Sequence, residues 1–77
     1  MTVKIYTTLT CVYCRAAKQL FNEHNIAYQE INVAEDRDAL QYMVEKTGQL
    51  GVPVIEIDNN FVVGYNKSKL LELLNIK

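Results

Sequence analysis

Val3-Lys4-Ile5-Tyr6-Thr7-Thr8-Leu9-Thr10-Cys11-Val12-Tyr13-Cys14-Arg15-Ala16-Ala17 runs from a strand pattern through a polar turn into a helix pattern, with the chain's only two cysteines at the junction. Val3 to Tyr6 alternates and is β-branched or aromatic at all but one position, which reads as a strand. Beyond it, Tyr13, Ala16, Ala17, Leu20 and Phe21 recur at helical spacing up to about Glu23, leaving Arg15, Lys18 and Asn22 to water. Thr10 is the expected N-cap, without a Glu or Gln at position 13 to complete a capping box. The first turn of a helix offers unpaired N–H groups and a partial positive charge, both of which stabilise a thiolate. Cys11 therefore stands where a nucleophilic sulfur is favoured, and Cys14, about one turn on, can close a disulfide with it without unwinding the chain.

Duller uses of two cysteines stay open at this point. A structural zinc ion takes four ligands, whereas here there is one C-x-x-C and a lone His24 some turns away. A bridge across so short a loop removes less unfolded-state entropy than a long one would, which argues against a purely structural disulfide. Both cysteines could also be small core residues. The strand-turn-helix setting is what favours a dithiol redox site.

Working outward, Ile26, Tyr28, Ile31 and Val33 mark a second strand, with one slip in the alternation between Tyr28 and Ile31. Glu35, Asp36 and Asp38 crowd the start of a second helix beginning near Ala34 to Asp36, and Lys46 lies in its last turn. Leu40, Met43, Val44 and Thr47 should form its inner face, Gly48 its left-handed stop, and Gly51 should loosen the following loop. Val52 to Ile57 reads as a third strand; Asp58-Asn59-Asn60 turns it into Phe61-Val62-Val63 as an antiparallel hairpin that Gly64 ends. Asn66 can cap a last helix carrying Leu70, Leu71, Leu73 and Leu74. The order β-α-β-α-β-β-α predicts an α/β fold, a four-stranded mixed sheet flanked by three helices, with the first two strands parallel through a right-handed crossover.

At 77 residues and 49% hydrophobic, the chain is one domain over residues 1–77, with enough apolar surface for a modest core. A net charge of -1 with both signs scattered gives no electrostatic case for nucleic acid. Met1 is followed at once by strand pattern, without a basic segment, a long apolar stretch or a cleavage signal, so no membrane association is expected and the cytoplasm is the expected compartment. Thiols there are mostly reduced, which again favours a working pair over a structural bridge.

With these elements in order, the chain resembles the glutaredoxin family of the thioredoxin superfamily nearly end to end. The resemblance rests on Ile5-Tyr6-Thr7 followed by Cys11-Val12-Tyr13-Cys14, then Gly51-Val52-Pro53-Val54, then Val63-Gly64-Tyr65. It implies a thioredoxin-like fold, with Cys11 as nucleophile and Cys14 as resolving thiol. It implies a substrate surface made by Tyr13, Val52, Pro53, Gly64 and Tyr65. Within it Pro53 is a cis proline, Val52 offers backbone groups to an extended substrate, and Gly64 allows close approach. Read without the resemblance, Pro53 could equally be a trans proline opening a strand, Gly64 a turn glycine, and Tyr13 helix-face packing.

Departures from the family pattern bear on the substrate. Glutathione-using members carry a Lys or Arg three residues before the first cysteine, where this chain has Thr8. They also carry a Gly-Gly pair and an Asp where it reads Gly64-Tyr65-Asn66-Lys67-Ser68, a Pro at the position of Val12, and a Thr at that of Gly51. The Gly-aromatic pair is similar to that of redoxins served by thioredoxin reductase. Lys67 and Lys69 remain as cations near the site.

The expected function is thus a thiol-disulfide oxidoreductase or electron carrier that reduces protein or mixed disulfides through Cys11 and Cys14, as a monomer. Thioredoxin reductase or glutathione is the expected reductant, with no tightly bound cofactor, no metal, and glutathione a co-substrate at most. The alternatives are a glutathione-dependent glutaredoxin that removes glutathione from proteins, an iron-sulfur carrier holding a cluster between Cys11 of two chains and two glutathiones, and a non-catalytic interaction module.

Overall fold

A computed structural model of the chain describes residues 2–75. The elements follow the expected order: β1 (Val3–Thr7), α1 (Val12–Glu23), β2 (Gln29–Asn32), α2 (Arg37–Thr47), β3 (Val54–Ile57), β4 (Asn60–Val63) and α3 (Lys67–Leu73). The four strands lie in the spatial order β2-β1-β3-β4. β1 runs parallel to β2, with Tyr6 beside Ile31, and antiparallel to β3, with Tyr6 beside Val54. β3 and β4 form the hairpin, turning at Asp58, whose φ of 54° is of the kind an Asp tolerates. This is the α/β, thioredoxin-like architecture. Among the described residues no helix is long and apolar enough to cross a membrane.

Alternation along the central strands sends side chains to two cores. Val3, Ile5, Ile55, Ile57 and Val62 meet Ala17, Leu20 and Phe21 of α1 and Leu70 and Leu74 at the C-terminal helix. Tyr6 and Val54 face the other way, onto Met43 of α2 and Val33. All four residues of β3 are buried, as a strand covered on both faces must be.

Several boundaries differ from the sequence reading, each for a local reason. α1 is capped by Cys11 rather than Thr10: the Cys11 backbone is extended and its sulfur accepts the Cys14 N–H. Tyr13 lies off the inner face of that helix and is 64% exposed. Ile26 and Tyr28 precede β2 and pack on the core from the connection, where Ile26 N–H donates to the Phe21 carbonyl at 2.8 Å. β3 starts at Val54 rather than Val52, just past a cis Val52–Pro53 peptide. Thr47 does not serve the inner face of α2 by apolar contact; its hydroxyl donates to the Met43 carbonyl at 2.7 Å. Gly48 (φ 71°) and Asn66, which accepts the Lys69 N–H, stop and cap their helices as the sequence indicated.

A polar cluster sits inside the α2 face. Glu56 is 7% exposed; Tyr6 donates its hydroxyl to one carboxylate oxygen at 2.8 Å and Tyr42 to the other at 3.2 Å. Lys46 lies over the Tyr42 ring, 5.7 Å from its centre. Burial first, then the hydrogen bond to Glu56 and its negative charge, hold the Tyr6 hydroxyl far above the ordinary phenol range. Tyr42 is raised in the same direction, by desolvation and then by the Glu56 charge. A proton held more tightly in the folded chain stabilises it below the unfolded phenol value of about 10, and that contribution disappears as pH climbs from there through the folded value. Urea unfolding followed upward from about pH 8 should show stability falling beyond about pH 10, with a shallower fall in Tyr6→Phe. Near neutrality Tyr6→Phe should cost about 1 to 3 kcal/mol, because a buried carboxylate loses a donor. Parallel pH profiles for the two proteins would remove Tyr6 from the alkaline transition.

Candidate active site

The site is built where β1 ends and β3 begins. The chain leaves β1 at Thr7, whose carbonyl accepts the Val33 N–H at 3.0 Å, and crosses a short polar loop to Cys11. The backbone at Cys11 is extended (φ -129°, ψ 108°), which turns its sulfur back over the first turn of α1. There the sulfur accepts the Cys14 N–H at 3.1 Å, while the Cys11 carbonyl accepts the Arg15 N–H at 3.2 Å. An N–H left orphaned by the helix start is thus spent on the Cys11 sulfur.

Cys11 and Cys14 are joined as a disulfide, with Cα atoms 5.2 Å apart. The two differ sharply in access. Cys14 is 1% exposed, and Cys11 is half-buried at the surface. Only Cys11 offers a sulfur that an incoming disulfide could reach without movement of the helix.

The strand register brings the other expected residues to the same end of the sheet. Tyr6 pairs with Val54, so the residues before Val54, the half-buried Val52 and the buried Pro53, lie beside the loop that follows β1. The Val52–Pro53 bond is cis, as the resemblance implies. Val54 pairs with Val63, and the Gly64 N–H donates to the Pro53 carbonyl at 2.8 Å, which ties the end of β4 to the proline. Gly64 holds φ at 80°, a conformation that disfavours any side chain although nothing would crowd a Cβ there. Tyr65 turns partly into the core shared by α1 and the C-terminal helix. With Lys67 and with Ala16, Gln19, Leu20 and Glu23 of α1 it lines a shallow groove of about 200 Å³.

A larger depression, about 560 Å³, runs along β2 and the start of α2 between Gln29 and Asp38, and neither cysteine lines it. The chemistry of the thiols lies elsewhere. Among the described residues no group of three or more His, Cys, Asp or Glu could hold a metal ion.

Two features of the site escaped the sequence reading. The first is the exposure of the apolar side chains Leu9 (78%), Val12 (77%), Leu50 (68%) and Val63 (52%), in the segments that carry the cysteine pair, precede Pro53 and end β4, beside the already expected Tyr13 (64%). Leucines inside polar loops at positions 9 and 50 were the available signal. The second is the loop before Pro53, where Gly51 is pinned rather than loose: its N–H donates to the Gln49 side-chain oxygen and its carbonyl accepts from the Gln49 side-chain nitrogen at 3.1 Å.

The glutaredoxin family model matches residues 3–62. An uncharacterised glutaredoxin-like protein of 8.6 kDa from the rubredoxin operon of Clostridium pasteurianum is 40% identical over 72 residues, 94% of this chain and 96% of that protein. The glutaredoxin-like protein NrdH of Lactococcus lactis subsp. cremoris is 32% identical, covering 92% of this chain and 97% of its own length. Among solved structures, the glutaredoxin-like NrdH-redoxin of Escherichia coli superposes with a TM-score of 0.84 at 25% identity over 95% of each chain. A family match spanning the cysteine pair, near-full-length relatives and a shared thioredoxin-like frame agree with the site's geometry, and the chain belongs to the glutaredoxin family.

Proposed function

We propose that this chain is a dithiol electron carrier that reduces disulfides of proteins. The observation that supports the reading best is the asymmetry of the pair, with Cys11 accessible at the helix start and accepting an N–H, and Cys14 buried beside it. In the reduced chain the Cys11 thiolate attacks one sulfur of R–S–S–R′, forming Cys11–S–S–R and releasing R′–S⁻, which takes up a proton. Cys14 then gives up its proton and attacks the Cys11 sulfur, releasing R–S⁻. R–S⁻ is protonated in turn, so the substrate takes up two electrons from the pair and two protons, one from Cys14 and one from water, and the chain is left with its disulfide closed. Tyr13, Val52, Pro53, Gly64 and Tyr65 serve as the surface that holds the substrate. The protein acts as a single domain over 1–77, as a monomer and in the cytoplasm, where its substrates must find the pair unobstructed.

The exposed apolar side chains Val12 and Tyr13, between the two cysteines, suit a protein surface better than a small charged tripeptide. Thr8 and Tyr65-Asn66 leave glutathione without its usual ionic partners, and each such loss should weaken binding by about 1.5 to 3 kcal/mol. The E. coli NrdH-redoxin is described by a thioredoxin-like activity profile, which fits the same direction. Thioredoxin reductase is therefore the reductant of choice. A second reading, a glutathione-dependent glutaredoxin, is favoured by Lys67 beside Tyr65 in the groove along α1, where it could meet a carboxylate. Cluster carriage by two chains with glutathione is a third use, and it weakens with the glutathione contacts.

The decisive assay offers the oxidised protein two electron sources in parallel, thioredoxin reductase and glutathione with glutathione reductase, and follows NADPH consumption with insulin as substrate. Fast turnover with thioredoxin reductase and turnover at least about tenfold slower with glutathione is the expected result. Efficient turnover with glutathione alone would assign the chain to the second reading.

A further inference from the structure

The loop before Pro53 is held by one side chain. Gln49 follows Gly48, the left-handed stop of α2, and folds its amide onto Gly51: the side-chain oxygen accepts the Gly51 N–H and the side-chain nitrogen donates to the Gly51 carbonyl at 3.1 Å. The second amide hydrogen reaches the Thr47 hydroxyl at 3.4 Å. That hydroxyl donates back to the Met43 carbonyl at 2.7 Å, so the amide is anchored on the end of α2. Both backbone groups of Gly51 are thereby occupied as a neighbouring strand would occupy them. The opposite amide orientation would set an NH2 against the Gly51 N–H, so the network fixes which way the amide points.

The consequence falls on Val52. Gly51 is satisfied by Gln49, and the Pro53 carbonyl by the Gly64 N–H at 2.8 Å. In this segment the Val52 peptide groups are left without a protein partner among the described residues. Leu50, bracketed by the two ends of the clasp, is displayed to solvent at 68% exposure.

We infer that Gln49 is a positioning residue for protein substrates: by clasping Gly51 it fixes the backbone of Val52 to receive the extended segment that flanks a substrate cysteine. The inference rests on the protein-disulfide reading above. It separates two kinds of substrate. A protein disulfide brings a flanking backbone that needs Val52 in place, whereas hydroxyethyl disulfide has none and needs only the Cys11 sulfur.

A second handle follows from Gly51. A Cβ there would come within 2.6 Å of the Gln49 side-chain oxygen, the far end of a flexible side chain, and the Gly51 backbone lies outside the left-handed region. Gly51→Ala should therefore expel the Gln49 amide and reproduce Gln49→Ala. It also provides a second test if Gln49→Ala does not fold.

The experiment mixes pre-reduced protein, freed of reductant, with insulin or with hydroxyethyl disulfide, and reads second-order rate constants by acid quench and thiol labelling. Gln49→Ala should slow insulin reduction about three- to tenfold and leave hydroxyethyl disulfide within about twofold, the loss expected for one or two hydrogen bonds. Gly51→Ala should do the same, and the double variant should be no slower than either single one. The pH profile of Cys11 alkylation should be unchanged in all three. Equal slowing with both disulfides, no slowing with insulin, or additive losses in the double variant would overturn the positioning role. A wild-type chain that reduces neither disulfide would instead overturn the dithiol reading itself.

Discussion

Cys11→Ser is expected to lose disulfide reduction down to the rate of the buffer, a fall of roughly three orders of magnitude or more, because the attacking atom itself is removed and a serine hydroxyl is not ionised at neutral pH. Cys14→Ser should fail differently. It retains the Cys11 sulfur at the helix start, so it can attack but cannot resolve, and the reaction should stop at a mixed disulfide between Cys11 and the substrate. Mass spectrometry after mixing with a disulfide-linked peptide should find that adduct on Cys11 in Cys14→Ser and no adduct on Cys14 in Cys11→Ser. The 1% exposure of Cys14 is the physical reason for the asymmetry: a buried sulfur cannot meet an incoming disulfide in line. Alkylation of the reduced wild-type protein at neutral pH should accordingly modify Cys11 first. Turnover retained in Cys11→Ser, or an adduct on Cys14, would reverse the roles. A pair that takes no part in turnover while partner binding persists would fit a non-catalytic module.

What the sequence revealed, and what it hid, divides along the range of the interactions. Gly48 and Asn66 were legible because a helix stop and a helix cap are matters of one residue and its nearest peptide groups. The cysteine pair was legible for the same reason, since a turn and the start of a helix lie within a dozen residues. Thr10 misled because a hydroxyl is the commoner cap, and nothing local says that the Cys11 sulfur will take the Cys14 N–H instead. Glu56 gave no warning: its partners Tyr6 and Tyr42 lie 50 and 14 residues away, and only the register of β3 against β1 brings a carboxylate between two phenols. Gln49 is a different case. Its contacts are all within two residues, yet Gly-Gln-Leu-Gly reads as an ordinary flexible loop, because side-chain amides pairing with a neighbouring backbone leave no periodicity to detect.

The largest loss of stability from one substitution should come from Phe21→Ala, even though Phe21 touches no part of the chemistry. Its side chain is fully buried on the inner face of α1, with its ring centre 5.3 Å from that of Tyr28 and tilted 46° to it. It packs into the core between β1, β3 and the C-terminal helix. Truncating a buried Phe to Ala typically costs about 3 to 5 kcal/mol, the lost transfer energy plus the cavity left behind. A chain of this length has about 4 to 12 kcal/mol of total stability, so the substitution should remove between about a quarter and all of it. Val12→Ala, on the same helix but 77% exposed, should change stability by no more than about 0.5 kcal/mol. Urea unfolding of the two variants beside wild type measures the contrast. The argument also separates anchoring from catalysis. α1 carries Cys11 and Cys14 at one end and Phe21 near the other, so loosening the anchor should lower activity only through the folded fraction. Adding an osmolyte that favours the compact state, such as trimethylamine N-oxide, should then restore Phe21→Ala activity along with its folding. Cys11→Ser should gain nothing from it. If Phe21→Ala stayed inactive after refolding, α1 would be positioning the thiols through its inner face as well as through its first turn.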